Sequence, residues 1–151
     1  MNQKSFELLC TQACEVLAIE DSAALGCGMD VWYDGVLLEM MFADGQTSAL
    51  VMVDLGEIAA DDRQSVCESL LAMQLGAWDD PRVRFGYHPL RDAMVLCVNV
   101  ALDEAMGSPK LAALLTGAAL QVKALRESQL GGMVIARRES SAPALIFPDG
   151  S

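Results

Sequence analysis

The residues able to do chemistry in this sequence are scattered and seldom paired. His88 is the only histidine. It stands beside Pro89 at the end of an alternating stretch, where an exposed turn residue is expected. Base catalysis needs an imidazole aimed at a proton, with a nucleophile in reach. No G-x-S-x-G elbow is present, no P-loop and no complete G-x-G-x-x-G, since the GCG at 26–28 lacks the third glycine. Asp61-Asp62 and Asp79-Asp80 are adjacent pairs suited to caps and turns rather than to acid/base partnership. DVWYDG and FADGQ lack the alternating oxygen ligands and closing Glu of a calcium loop. The sequence therefore predicts no catalytic residues, no metal site and no cofactor. A small enzyme built on distant carboxylates is the weakest reading.

The five cysteines are Cys10, Cys14, Cys27, Cys67 and Cys97. Their number is odd and none forms C-x-x-C. Cys10 and Cys14 lie four apart on an expected helix. This pattern reads as reduced thiols in a cytosolic protein rather than a disulfide framework or zinc site. The N-terminal stretch has no signal-peptide core, and no apolar run approaches the ~18 residues of a membrane span. A cytoplasmic protein of bacterial type is expected.

Ten basic against 21 acidic residues give a net charge of −11. That balance argues against nucleic-acid binding, which needs cations to meet phosphates, and against anionic membranes. It favours solubility, which matters most for a protein that exposes apolar surface. With 151 residues, 53% of them apolar, a single domain can bury roughly 70% of its unfolded surface without disulfide or metal.

The elements that would position a site follow from periodicity. Residues 5–20 fit an amphipathic helix with Ser5 as N-cap and Phe6, Leu9, Cys10, Ala13, Cys14, Val16 and Leu17 on one face. Strands are expected near 29–33 and 36–42 around an Asp34-Gly35 hairpin turn, and at 48–55. A second helix runs from Asp61, with Gln64 at capping-box spacing, to about Leu75. Strands at 83–88 and 94–100 follow, then a helix at 109–129 with Ser108 as N-cap and Pro109 in its first turn. The expected fold is α+β, a single domain in the order α-β-β-β-α-β-β-α with a twisted antiparallel sheet and three helices. Residues 1–130 form the domain, and 131–151 are expected to be a flexible C-terminal tail.

Apolar surface is in surplus. In VLLEMMF, 36–42, both faces are apolar except at Glu39, whereas a half-buried strand should alternate. In the second helix Val66, Cys67, Leu70, Leu71, Met73 and Leu75 spread over roughly 200°, about twice an ordinary core-facing stripe. A helix that apolar is either central in a larger fold or shared with another subunit, and the second option predicts a symmetric dimer. Further apolar surface would receive an extended or helical peptide.

These segments, taken in order, resemble the type III secretion effector chaperones of the CesT (Tir chaperone) family. The similarity covers about residues 4–130. It rests on a first helix ending in VLAIED, then GMDVWYDGVLLEMMF, SALVMVDLGEIAADD, LLAMQLGAW and VRFGYHPLRDAMVLCVNVAL. Gln74-Leu75 stands where the family commonly has Asn-Leu. The resemblance implies a cytosolic homodimer, without enzymatic activity, that binds the N-terminal segment of a secreted effector in extended form and delivers it to the secretion apparatus, the secretion ATPase included. Carried to this chain, Val66, Leu70 and Met73 would form the dimer interface. Phe6, Leu9 and Ala13 of the first helix, with Val36, Leu38, Met40 and Phe42 of the sheet, would bind the effector. The alternative, of a different class, is a dimeric regulatory or anti-activator module that binds a folded protein.

Overall fold

The computed structural model describes residues 1–80 and 83–139. Its elements are α1 (Gln3–Val16), β1 (Val31–Tyr33), β2 (Val36–Met41), β3 (Ser48–Asp54), β4 (Glu57–Ile58), α2 (Arg63–Gly76), β5 (Val83–His88), β6 (Ala93–Ala101), α3 (Ser108–Glu127) and β7 (Val134–Ile135). The three helices and five main strands occur in the order expected. The short strands β4 and β7 are additional; two residues each leave no periodic signal.

Strands β1, β2, β3, β6 and β5 form one antiparallel sheet in that spatial order. The first hairpin closes on Asp34 (φ 49°) and Gly35 (φ 80°), two left-handed residues that match the twist of the flanking strands. Lys123 of α3 pairs with the Asp34 carboxylate, and Tyr33 Oη lies 3.1 Å from Thr116 Oγ1. The hairpin tip is thus tied to α3.

One face of the sheet carries Val36, Leu38 and Met40 of β2, Ala49, Val51 and Val53 of β3, and Leu96 and Val100 of β6, all buried. Two helices cover it. Helix α1 contributes Phe6, Leu9, Cys10, Ala13 and Cys14, and α3 contributes Leu111, Leu115, Ala118 and Val122. Each large aliphatic side chain so buried contributes roughly 1.5–3 kcal/mol. Helix α2 adds Val66 and Leu70 to the same core.

The helix ends differ from the expected ones for local reasons. Asn2, not Ser5, caps α1: its Oδ1 accepts from Ser5 N at 2.8 Å. Gln3 N donates to Asp44 Oδ1 at 2.7 Å, joining that end to the β2–β3 turn. The helix stops at Val16 because Ala18 turns left-handed (φ 57°). Ile19 N then bonds Cys14 O at 2.9 Å and Ala18 N bonds Glu15 O at 3.1 Å, the Schellman pattern usually built on glycine. Residues Ala60–Asp62 form a 3-10 turn, so α2 begins at Arg63 and the Asp61–Gln64 capping box is not made. The N-cap of α3 is Gly107, which makes Ser108 its first residue.

Residues 131–139, expected to begin a loose tail, include a paired strand. Strand β7 joins β4 with Glu57 opposite Ile135 and Ile58 opposite Val134. Gly56 makes this approach possible. Its φ is +126°, and a Cβ there would collide with the Ile135 carbonyl oxygen. Residues 140–151 of the expected tail lie outside the described residues.

Candidate functional site

The second face of the sheet answers the surplus of apolar residues in VLLEMMF. There Met52, Val95 and Cys97 form a small buried cluster with Leu50 against it. Glu39, the polar interruption in β2, is an ion-pair acceptor on this face: it takes Arg91 Nη2 at 2.7 Å. Arg91 Nη1 also lies 3.4 Å from Asp30, and His88 Nε2 lies 3.5 Å from Glu39. The β5–β6 turn thereby straps this face by side chains rather than by a helix. His88 belongs to that strap, where an exposed turn residue was expected; it is mostly buried, and its Nδ1 has no partner among the described residues.

The residues expected to bind an effector are mainly core. Phe6, Leu9, Ala13, Val36, Leu38 and Met40 are all buried between the sheet and its helices. Their side chains lie in the chain's own core, and of the six only Phe6 and Met40 also line a surface groove. The reason is the pleat: residues two apart share a face, and that face is the one α1 and α3 cover. Phe42 is the exception. It is half-buried and stacks on Phe6, ring centroids 4.4 Å apart and planes 15° apart. Beside it opens a groove of about 450 Å³ lined by Gln3, Cys27, Met41, Phe42 and Leu50 among others. Met41, on the sheet face opposite Met40, is 56% exposed.

A similar correction applies to α2. Val66 and Leu70, expected at a dimer interface, are buried in the chain's own core, and Met73 is half-buried against it. The wide apolar arc is real, but its outward part is Leu71 (65% exposed) and Leu75 (77%), continued by Trp78 (80%) just beyond the helix. The helical wheel showed the width of the arc. It could not show which third of the arc the sheet would take.

Between α2 and the edge strand β5 lies a groove of about 470 Å³, lined by Cys67, Leu70, Leu71, Phe85, Tyr87 and Met94. Gln74 of α2 caps the strand edge nearby, its Oε1 accepting from Phe85 N at 2.7 Å. At one end of this groove Arg63 grips Asp92 with two nitrogens, at 3.2 and 2.9 Å. Tyr87 Oη donates to the same carboxylate at 2.6 Å. These hydrogen bonds, from Arg63 first and then Tyr87, pull the Asp92 carboxyl down to about 2.

The buried thiols are held neutral. Burial pushes the Cys10 thiol up to about 12 and Cys14 up to about 11. Burial also raises Cys97. Thiols in that condition are poor nucleophiles and poor ligands. Among the described residues no group of histidines, cysteines and carboxylates is placed to hold a metal. No described helix is long and apolar enough to cross a membrane. What the surface offers instead is apolar grooves and one apolar helix face.

No family model matches the sequence, and no curated protein does. Solved structures match well. A chain from the crystal structure of the ExsC–ExsE complex superposes with a TM-score of 0.65 at 12% identity, over 85% of this chain and 96% of that one. A chain from the structure of the HopA1–SchA chaperone–effector complex gives 0.56 at 14% identity, over 83% of this chain and 96% of that one. Identity that low establishes the fold alone. The α+β fold, with its three helices and antiparallel sheet, is shared with these two chains.

Proposed function

We propose that this chain is a cytoplasmic, homodimeric chaperone of the CesT class that binds the N-terminal segment of a type III secreted effector and keeps it competent for export. The observation that carries the reading is the likeness to chains of the ExsC–ExsE and HopA1–SchA complexes over more than four-fifths of this chain, the second of them a chaperone–effector complex. The surfaces agree with it. Ordering an unfolded segment costs several kcal/mol, so its receiver must present long apolar surface. The groove beside Met41, Phe42 and Leu50 is such a surface, and methionine adapts to varied side chains. The outward residues of α2, Leu71 and Leu75 with Trp78, would pair two copies. Nothing in this role requires catalysis or a cofactor.

Affinity purification from the native host, with mass spectrometry and light scattering of the complex, tests the reading. Two copies of this chain with one larger secreted protein, held through its N-terminal region, is the expected result. A dimer that holds a folded regulator instead would overturn it in favour of an anti-activator module.

A further inference from the structure

The contact between Arg91 and Glu39 crosses the second face of the sheet. Strands β3 and β6 lie between β2, which carries Glu39, and β5, at whose end the turn to Arg91 begins. Glu39 stands opposite Met52, and Met52 opposite Cys97, so the three form one row across that face. The buried cluster of Met52, Val95 and Cys97 includes no helix residue. Strand β5 offers it little cover, because Gly86 stands there: a Cβ on it would lie 3.5 Å from Cys97 Sγ and 3.7 Å from Val95 Cγ2. What reaches over the row is Arg91, with Nη2 2.7 Å from Glu39 Oε1, and His88, with Nε2 3.5 Å from the same oxygen.

Closing this strap is costly and opening it is cheap. Arg91 Nε and His88 Nδ1 are buried without a hydrogen-bond partner among the described residues, and a buried polar atom left unpaired costs free energy. The next residue, Asp92, holds left-handed backbone at φ 49°, which favours glycine. Against this, the Arg91 and Glu39 side chains are 19% and 20% exposed, so water is at hand to solvate both charges when they part. Asp92 is itself pinned by Arg63 and Tyr87. The base of the turn is thereby fixed, and opening needs only the side chains of the strap to move.

We propose that the Arg91–Glu39 contact is a latch: the strap opens in the folded chain while the rest of the core stays shut, and opening uncovers Met52, Val95 and Cys97. The uncovered row is continuous with the groove beside Met41, because Glu39 and Leu50 line that groove too. The second face of the sheet thus has a closed state and an apolar state, and the Glu39 carboxylate is where one passes to the other. This inference does not rest on the chaperone reading.

Buried Cys97 reports the opening, and Cys10 and Cys14, buried on α1, report the rest of the core. Alkylation of the full chain by iodoacetamide is resolved by site with peptide mass spectrometry over a series of low urea concentrations. Local opening exposes little surface, so the Cys97 rate should stay flat where the Cys10 and Cys14 rates climb with global unfolding. In Arg91→Ala and in Glu39→Gln, Cys97 should react roughly ten-fold faster, as for loss of one charged hydrogen bond, with Cys10 and Cys14 unchanged. The double variant should add little to either, since both remove one contact. Equal Cys97 rates in the native chain and the variants would overturn the proposal. So would a Cys97 rate that rises in step with Cys10 and Cys14, whether with urea or on substitution, because the contact would then brace the whole fold rather than latch one face.

Discussion

Asp54 and Arg137 face each other across 3.3 Å, one from the end of the central strand β3 and the other from beyond α3. Asp54 is 1% exposed, the one charged residue in the described core. Its other oxygen accepts from Gly56 N at 2.7 Å. Arg126 adds Nε to Leu55 O at 2.6 Å. Together these contacts join residues far apart in sequence around the β4–β7 pair.

Removing Asp54 should therefore loosen both ends of that junction. Asp54→Ala leaves the Gly56 amide without its acceptor and Arg137 with only Gly56 O and the more distant Glu57 carboxylate. The expected loss is about 2 kcal/mol in urea denaturation, since Arg137 keeps partial access to water. Hydrogen exchange should also quicken at Val134 and Ile135. Unchanged protection there would show that β7 is held by its own pairing alone.

Asp92 sets a pH prediction. Its carboxyl is held at about 2, below its ordinary 3.8, by the hydrogen bonds from Arg63 and Tyr87. A depressed carboxylate stabilises the fold above its unfolded pKa, and that contribution is lost as pH falls from about 3.8 through about 2. Carbon-detected NMR titration of the Asp92 side chain should give a midpoint near 2 in the native chain. Arg63→Ala should raise the midpoint. A midpoint that does not move with Arg63 would mean that the bidentate pair does not persist in solution.

Two substitutions on α2 separate fold from assembly. Leu70 is 1% exposed, so Leu70→Asp buries an unpaired charge and should destabilise the chain by 3 kcal/mol or more, roughly, whatever its oligomeric state. Leu75 points outward, and Leu75→Asp should leave thermal unfolding nearly unchanged while light scattering reports monomers. A Leu75→Asp chain that remains dimeric would remove this face of α2 from the proposed interface.

Neighbours on β2 give the matching pair for partner binding. Met40→Asp strikes the core and should unfold or aggregate. Met41→Asp lies on the exposed rim and should keep the fold within about 0.5 kcal/mol. If the proposed effector segment binds in the groove beside Met41, it should then bind roughly ten-fold more weakly, by titration calorimetry. Full affinity in Met41→Asp would place the binding groove elsewhere.

Much of the architecture was legible because periodicity and turn chemistry are local. Asp34-Gly35 dictates a tight hairpin wherever its strands lie, and the α3 stripe from Leu111 to Leu125 needs only its own spacing to be recognised. The excess of apolar residues in VLLEMMF and in α2 was equally visible. So was the absence of any familiar catalytic motif.

Orientation was not legible. Alternation states that Val36, Leu38 and Met40 share one face and Leu37, Glu39 and Met41 the other, but it is symmetric between them. Only the packing of α1 and α3 decides which is core, and it chose the face first expected to meet an effector. The same holds for Val66 and Leu70 against Leu71 and Leu75, whose roles depend on where the sheet edge lies. The Asp54–Arg137 pair spans most of the chain, and neither residue announces the other locally. By itself the sequence determined the elements, their order, the apolar surplus and the acidic charge, because each is set by neighbours in the chain. The tertiary structure decided which surplus is hidden and which is offered, because burial depends on residues that only folding brings together.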